Sequence, residues 1–214
     1  MPVERHLFLP GFGARAGAYL PGLPDGWEAF QPPRPSGAAP LHALRDWLIA
    51  DLRSRRESVV LGGHSMGGAL AMLAAAAVPE RIAGLVLIAP AGLPLTKPVR
   101  QSLRDAARQI GEGRHQAADV VASLSDLIRA PRASVRLARA LRRLDLSRTM
   151  RTIQESELPA LVIGCASDTL VPPQHTRTIS RLLGARYREL DSDGGHVWMF
   201  GDWSRLRNEL VGAA

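Results

Sequence analysis

Cysteine is almost missing from this sequence, because Cys165 is the only one among 214 residues. A single cysteine excludes a disulfide scaffold and a zinc site built from cysteines. No apolar run reaches about 18 residues, the length that a membrane-spanning helix needs. The first residues lack a basic stretch followed by an apolar one, so we expect no secretory signal and a cytoplasmic protein.

Aromatic residues are also few, at 5%, whereas hydrophobic residues make up 46% and charged residues 22% of the chain. These proportions are ordinary for a folded domain and exclude a disordered or fibrous chain. Two tyrosines and four phenylalanines offer little surface for stacking bases, which argues against nucleic-acid binding. The length is that of one domain with room for a small insert.

Lysine is nearly absent, because Lys97 is accompanied by 26 arginines. The net charge of +7 is unevenly distributed along the chain. Residues 95–151 hold 13 basic and five acidic residues, a net charge of +8, while the rest holds 14 basic and 15 acidic residues, a net charge of −1. A GC-rich genome, which favours arginine over lysine, is one explanation of this arginine-rich segment. A surface that meets an anionic substrate or carrier is the other.

Short apolar segments alternate with helical patterns over most of the chain. The predicted strands are 5–9, 27–31, 58–61, 82–89, 160–164 and 186–190, and the glycine pair at 62–63 is taken to end the third. The predicted helices are 40–55, 67–78, 173–183 and 197–211. This alternation indicates an α/β protein with a parallel sheet that helices cover on both faces.

Residues 95–157 break the alternation, because they contain only helical patterns. We predict helices around 99–110 and 120–128, and a third that begins at Pro131. The segment 95–157 is therefore expected to be a helical insert in a core formed by 1–94 and 158–214. Arginines at helical spacing share a face on the first and third helices; these are Arg100, Arg104 and Arg108, and Arg132, Arg136, Arg139 and Arg143.

The sequence GHSMGG at 63–68 lies between a predicted strand and a predicted helix. A Gly-x-Ser-x-Gly turn in this position is typical of a nucleophile elbow. Small flanking residues let the strand and helix pack closely, and the hydroxyl of Ser65 is then presented at a helix N-terminus, where negative charge is favoured. The alternative is a glycine-rich turn that only joins the two elements.

A serine nucleophile needs a base, and His196 is the best of six candidates. It follows the last predicted strand, so it is expected at the same sheet edge as Ser65. His64 is expected to support the turn, because adjacent residues point in different directions. The remaining histidines lie on predicted strands or helices, where surface or packing roles are expected; these are His6, His42, His115 and His175.

Asp168 is predicted to be the carboxylate that orients His196, since it follows the strand at 160–164. Asp191 and Asp193 are nearer in sequence, but they share the loop of His196 and could reach it only through a tight local turn. No acidic residue lies at 89–95, after the strand at 82–89. The expected chain order is then nucleophile, acid, base.

Two backbone N–H groups are predicted to bind the oxyanion. One belongs to Met66, and the other to Phe12 in the sequence PGFG at 10–13, where the glycines permit a close approach. The alternative for 10–13 is a plain turn that ends the first strand. Phe12, Met66 and Trp198 are predicted to line the substrate pocket, and neither a metal nor an organic cofactor is implied.

With these motifs the sequence resembles the α/β-hydrolase superfamily over nearly its whole length. The matching pieces are LPGFG at 9–13, GHSMGG at 63–68, LVIGCASD at 161–168 with VP at 171–172, and GGH at 194–196. The resemblance implies a capped serine hydrolase whose layout is similar to that of carboxylesterases acting on pimeloyl-carrier esters and of related C–C and lactone hydrolases. Pro10 stands where the family usually has histidine. No room is left for the family's N-terminal hairpin, so the resemblance implies a trimmed, mostly parallel sheet of about six strands with an all-helical cap.

The expected reaction is hydrolysis of a carboxylic ester or thioester through an acyl-enzyme on Ser65. C–C bond hydrolysis, lactone opening and cofactor-free perhydrolysis on the same triad stay as alternatives, as does a ligand-binding member of the fold without turnover. Docking of an anionic acyl carrier on the arginine-rich helices is a further hypothesis, and so is a homodimer through an uncovered sheet edge.

Overall fold

The computed structural model describes residues 5–95, 129–200 and 202–211 of the chain. The helices predicted around 99–110 and 120–128, with the arginines of the first, lie outside the described residues. None of the described helices combines the length and the apolar character that crossing a membrane requires.

Six strands form one sheet in the described residues. They are β1 (Arg5–Leu9), β2 (Trp27–Ala29), β3 (Val59–His64), β4 (Ile82–Ile88), β5 (Ala160–Cys165) and β6 (Arg186–Leu190). Their order is β2-β1-β3-β4-β5-β6, and each neighbouring pair is parallel. The predicted parallel sheet of about six strands is confirmed. The carboxyl ends of all six strands therefore lie along one edge.

The described helices are α1 (Pro40–Ser54), α2 (Met66–Ala77), α3 (Pro131–Arg143), α4 (Ser147–Glu155), α5 (Pro173–Leu183) and α6 (Trp203–Val211). Three 3₁₀ segments, Ala16–Gly22, Pro79–Arg81 and Gly195–Phe200, lie between these elements. The helical periods read from the sequence at 40–55, 67–78 and 173–183 thus correspond to α1, α2 and α5.

Alternate side chains of the strands enter two separate hydrophobic clusters. Leu7 and Leu9 on β1 face a cluster with buried residues from α1 through α5. Phe8, between them, faces a second cluster with the 3₁₀ segment Ala16–Gly22 and with Leu206 of α6. The sheet is covered on both faces, as its nearly continuous apolar strands predict.

Strand β3 runs farther than the sequence suggests. The glycine pair at 62–63 is expected to end the strand at Leu61, but β3 continues to His64. A Cβ atom on Gly62 would lie 2.4 Å from Cζ3 of Trp27 and 2.8 Å from Cδ2 of Phe8. Glycine is therefore needed here to make room for two aromatic side chains that cross this face of the sheet, and the prediction that it breaks the strand is wrong.

The closing helix predicted over 197–211 is divided into two parts. Gly195–Phe200 forms a 3₁₀ segment, in which Val197 has a non-helical φ of −116°. Helix α6 begins only after Asp202, whose Oδ1 accepts a hydrogen bond from the N–H of Arg205 at 3.0 Å. This is the contact of an N-cap, so Asp202 starts a new helix.

The helical segment at 95–157 is described from residue 129 onwards. Helix α3 begins at Pro131, as predicted. A second helix, α4, follows separately, because Oδ1 of Asp145 accepts hydrogen bonds from the N–H and the hydroxyl of Ser147, at 2.9 and 2.6 Å. The boundaries of the insert stay a prediction.

Neither edge strand of the sheet offers a long, uncharged surface for pairing with another strand. Strand β2 has only three residues, and β6 carries the charged residues Arg186, Arg188 and Glu189. Short edge strands and edge charges oppose pairing between copies of a chain. The homodimer stays a prediction, and this composition argues against pairing through β6.

Replacement of Gly62 tests the packing role of this glycine. Gly62→Ala is expected to lower the free energy of unfolding by about 1–3 kcal/mol, because the new methyl group overlaps Phe8 and Trp27. Gly84→Ala on the adjacent strand β4 is the matched control, since its Cβ would meet nothing closer than 3.4 Å. Urea unfolding of both variants measures the difference, and equal stabilities would contradict the packing role.

Candidate active site

Ser65 occupies a strained turn between β3 and α2. Its backbone has a φ of 52° and a ψ of −109°, a region that residues other than glycine rarely adopt. The end of β4 anchors this turn, because the N–H of Ser65 donates to the carbonyl of Ile88 at 2.9 Å and its carbonyl accepts from the N–H of Ala91 at 3.0 Å. The side chain of Ser65 is partly exposed in this position. A strained serine between strand and helix has the form of a nucleophile elbow.

The glycines around Ser65 lie where no larger residue fits. A Cβ on Gly63 would lie 2.4 Å from the carbonyl carbon of Gly67. A Cβ on Gly67 would lie 2.3 Å from the carbonyl oxygen of Leu9, at the end of β1. The steric explanation of the GHSMGG motif is confirmed at these two positions. The same contact brings the turn directly against the start of the loop at 10–13.

Asp168 and His196 are in contact at the carboxyl edge of the sheet. Nδ1 of His196 lies 2.8 Å from Oδ2 of Asp168, and the two residues are 5% and 3% exposed. The other carboxylate oxygen, Oδ1, accepts hydrogen bonds from the N–H groups of Leu170 and Val171, both at 2.8 Å. These two bonds fix the orientation of the carboxylate, so that Oδ2 faces the imidazole. A neutral imidazole that carries its proton on Nδ1 has a lone pair on Nε2 and can accept a proton there.

The two acids that share the loop of His196 lie elsewhere. Asp191 and Asp193 are both exposed, whereas Asp168 is buried against the imidazole. The ring of His196 lies 4.7 Å from the ring of His64, the residue that precedes Ser65, measured between centroids. A hydrogen bond between the Ser65 hydroxyl and His196 stays a prediction.

Ser167 joins the two loops that carry Asp168 and His196. Its hydroxyl donates to the carbonyl of Ser192 and accepts from the N–H of Gly195 at 3.1 Å. The sequence analysis did not find this residue. The only available signal was its position immediately before Asp168, and its partners lie 25 and 28 residues further along the chain.

His64 is buried between two partners, one of which is a tyrosine that the sequence analysis also missed. Nδ1 of His64 lies 2.8 Å from the hydroxyl of Tyr19, and Nε2 lies 2.9 Å from the carbonyl oxygen of His196. Burial is the main cause that holds the pKa of His64 well below its ordinary value, and the nearby His196 lowers it further. The expectation that His64 supports the turn thus agrees with its contacts.

The two residues whose amides are predicted to bind an oxyanion line one small cavity. Met66 is the first residue of α2, so its N–H has no carbonyl partner within the helix. The N–H of Phe12 donates to no backbone carbonyl of the described residues. Phe12 and Met66 line a cavity of about 30 Å³ together with residues from the loop at 31–35 and from α1 and α3. The oxyanion role of these amides stays a prediction.

Trp198 lies apart from this cavity. It is 2% exposed and belongs to the hydrophobic cluster on the opposite face of the sheet from Met66. Trp198 is not among the residues that line the cavity. Its place in the substrate pocket therefore stays a prediction. Within residues 5–95, 129–200 and 202–211, no three histidine, cysteine or acidic side chains are grouped in a way that could hold a metal ion.

Removal of the Ser167 hydroxyl tests whether it holds the two loops together. Ser167→Ala is expected to lower the free energy of unfolding by about 0.5–1.5 kcal/mol for each hydrogen bond lost and to accelerate hydrogen exchange at the N–H of Gly195. Ser54→Ala is the control, because this hydroxyl bonds only within its own helix, to the carbonyl of Asp51. Unchanged exchange at Gly195 in the Ser167 variant would contradict the role of this hydroxyl.

Known structures share this architecture. An N-acyl homoserine lactone degrading enzyme matches with a TM-score of 0.76 at 18% identity and covers 99% of this chain and 93% of its own. A lipase-esterase related protein from Clostridium acetobutylicum has a TM-score of 0.75 at 12% identity and covers 99% and 95%. A hydrolase from Oleispira antarctica has a TM-score of 0.75 at 16% identity and covers 98% and 90%. At these identities the likeness shows the fold alone.

Sequence comparison gives a more specific result. A Mycoplasma pneumoniae protein described as an esterase/lipase is 56% identical over 45 residues, which are 20% of this chain and 17% of that protein. This match therefore spans about a sixth of the length of the relative. The model of the alpha/beta hydrolase family matches residues 7–209, which is nearly the whole chain. The chain belongs to the α/β hydrolase family.

Proposed function

We propose that this protein is a serine hydrolase that cleaves carboxylic esters through an acyl-enzyme on Ser65. The observation that carries the proposal is the buried pair of Asp168 and His196, which lies at the same sheet edge as the strained turn of Ser65. The family match supports hydrolytic chemistry, and the short match to an esterase/lipase supports an ester as the substrate.

In the proposed reaction His196 acts first as a base and then as an acid. Nε2 takes the proton of the Ser65 hydroxyl while Oγ attacks the ester carbonyl carbon. The N–H groups of Phe12 and Met66 bind the oxyanion of the tetrahedral intermediate. The intermediate collapses, the C–O bond to the alcohol breaks, and His196 gives its proton to the departing oxygen. Water then attacks the acyl-enzyme by the same sequence and releases the acid.

Asp168 supports this cycle by fixing the proton on Nδ1 of His196. The carboxylate also stabilises the imidazolium that forms when Nε2 accepts the serine proton. Its two backbone N–H partners, from Leu170 and Val171, keep the carboxylate in place during both half-reactions. Asp168 does not take up a proton itself.

The cavity beside Phe12 and Met66 is proposed to hold the acyl group. Its wall includes Pro32, Pro33 and Leu44, and α3 contributes Leu137, so most of the surface is apolar. Since α3 belongs to the segment 95–157, we propose that this segment acts as a cap over the site.

Substitution of the triad tests the proposed function. Ser65→Ala is expected to abolish hydrolysis of a panel of esters, thioesters and lactones without altering urea unfolding, because the nucleophile is gone. Asp168→Asn is expected to lower kcat by about 10⁴-fold, since an amide holds His196 in the wrong tautomer.

Asp193→Asn is the matched control for this series. Asp193 is an exposed acid on the loop of His196, so its replacement is expected to change kcat by less than about twofold. Appreciable turnover by Ser65→Ala would remove Ser65 from the mechanism. Equal losses in the two aspartate variants would contradict the role of Asp168. The panel itself separates ester hydrolysis from thioester and lactone hydrolysis.

The arginines of α3 are proposed to attract an anionic acyl carrier or leaving group. All four are exposed, and they are Arg132, Arg136, Arg139 and Arg143. The opposite side of the helix carries Ser134 and Leu137, which are buried and line the cavity. A positive outer face on a helix next to the cavity suits a phosphate or carboxylate, to which arginine can bond through two N–H groups.

Salt dependence tests the role of this arginine face. Turnover of esters with an anionic leaving group is expected to fall steeply as salt rises, because screening weakens long-range attraction, whereas neutral short esters are unaffected. The double variant Arg132→Gln/Arg139→Gln is expected to lose this salt response. Arg53→Gln/Arg56→Gln, at exposed arginines in the last turn of α1 and just after it, is expected to keep the response. An equal salt response for both ester types would end the proposal.

A further inference from the structure

A buried chain of hydrogen bonds connects the loop at 10–13, the turn of Ser65 and the loop of His196. The N–H of Gly11 donates to the hydroxyl oxygen of Tyr19 at 3.3 Å. The same hydroxyl lies 2.8 Å from Nδ1 of His64. Nε2 of His64 lies 2.9 Å from the carbonyl oxygen of His196. All three contacts are buried, and they join segments that are up to 132 residues apart in the sequence.

Only one arrangement of protons satisfies this chain when His64 is neutral. The carbonyl oxygen of His196 can only accept a hydrogen bond, so Nε2 of His64 carries the proton. Nδ1 then carries no proton and presents a lone pair, so the hydroxyl of Tyr19 must donate to it. The oxygen of Tyr19 remains an acceptor for the N–H of Gly11. The geometry therefore assigns His64 as the Nε2–H tautomer.

The surroundings of His64 and Tyr19 favour this arrangement. Burial, and then the nearby His196, lower the pKa of His64, so its ring stays neutral. Burial raises the pKa of the Tyr19 hydroxyl far above its ordinary value, so the phenol keeps its proton. Tyr19 and His196 are the titratable side chains that the described residues bring against His64.

Close packing holds both rings in place. A Cβ on Gly11 would lie 2.8 Å from Nδ1 of His64, so the ring is in direct contact with the loop at 10–13. The ring of Tyr19 packs against those of Phe8 and Phe200, with centroids 5.0 and 5.1 Å away. Neither ring can move away from its partners without disturbing the core.

We propose that His64, oriented by Tyr19, is a positioning residue that holds the main chain of His196 so that its imidazole meets Ser65. This inference rests on the proposed function, in which His196 is the base. Asp168 fixes the ring of His196 at Nδ1, and His64 fixes its backbone at the carbonyl oxygen. Two anchors determine where Nε2 lies, and a displacement of about 1 Å at a reacting group can cost about 100-fold in rate.

A pair of substitutions at His64 separates positioning from simple space filling. His64→Gln keeps a side-chain N–H near the position of Nε2, whereas His64→Met has a similar length and no donor. His64→Met is expected to lower kcat by about 10- to 100-fold with KM changed by less than about twofold. His64→Gln is expected to restore most of this loss. If His64 only fills space, the two variants lose activity equally, and that result overturns the inference.

Tyr19→Phe tests the second partner, because it keeps the ring contacts and removes only the hydroxyl. Without that hydroxyl, the buried lone pair on Nδ1 of His64 has no donor, and the ring is held only by the hydrogen bond from Nε2 to the carbonyl of His196. We expect kcat to fall while KM changes little, and urea unfolding reports any loss of the fold. An unchanged kcat would overturn the role of Tyr19.

Nitrogen-15 NMR of the histidine rings gives a readout that does not depend on turnover. His64 is expected to show the Nε2–H tautomer and no titration between about pH 5 and 8, a range in which an ordinary histidine titrates. Tyr19→Phe is expected to keep this tautomer and to shift the Nδ1 resonance of His64, because the hydrogen bond from the tyrosine hydroxyl is lost. An Nδ1–H tautomer, or an ordinary titration of His64 in the unsubstituted protein, would overturn the inference.

Ser65→Ala is measured in the same experiments, because it separates a failure of the positioning role from a failure of the proposed function. If Ser65→Ala is inactive and the two His64 variants lose activity equally, the positioning role fails and the proposed function stands. If Ser65→Ala is active, the proposed function fails, and the NMR tautomer still reports whether the hydrogen-bond chain exists as assigned.

Discussion

The close packing of the Ser65 turn against the ends of β1 and β4 is the constraint on which the rest of the site depends. Gly67 lies against the carbonyl of Leu9, and a single methyl group at that position would collide with it. The strained backbone of Ser65 persists because its N–H and carbonyl are both bonded to the end of β4 and the residues after it. Any change that separates the turn from β1 would also alter the cavity that Phe12 and Met66 both line.

His196 is held differently, by three side chains that come from two separate segments of the chain. Asp168 contacts the ring of His196, Ser167 bonds to the N–H of Gly195 beside it, and His64 bonds to its carbonyl. The 3₁₀ segment that carries His196 is interrupted by a non-helical residue at 197, and 3₁₀ hydrogen bonds have poorer geometry than those of an α-helix. We therefore expect these side-chain contacts to determine where the imidazole lies. The site thus combines a closely packed turn at Ser65 with a loop at His196 that depends on long-range hydrogen bonds.

Local pattern was enough to predict most of the fold and the contact between Asp168 and His196. Strand alternation and helical spacing depend on neighbours in the sequence, and the carboxyl ends of parallel strands must meet at one edge. Gly62 was wrongly predicted to end β3. In sequence, a glycine that ends a strand cannot be told from one that makes room for a neighbouring side chain such as Trp27. Tyr19 and Ser167 were missed, because their partners lie 45 and 25–28 residues away and no spacing rule connects them.

The central claim is that Ser65 is the nucleophile, and trapping of a covalent adduct tests it most directly. The protein is reacted with a fluorophosphonate, and the intact mass and the modified peptide are determined by mass spectrometry. If Ser65 is the nucleophile, one adduct per chain forms on Ser65, rapidly in the unsubstituted protein and much more slowly in a variant that lacks the imidazole of His196. An adduct on another residue, or no adduct in a protein that still hydrolyses esters, would contradict it.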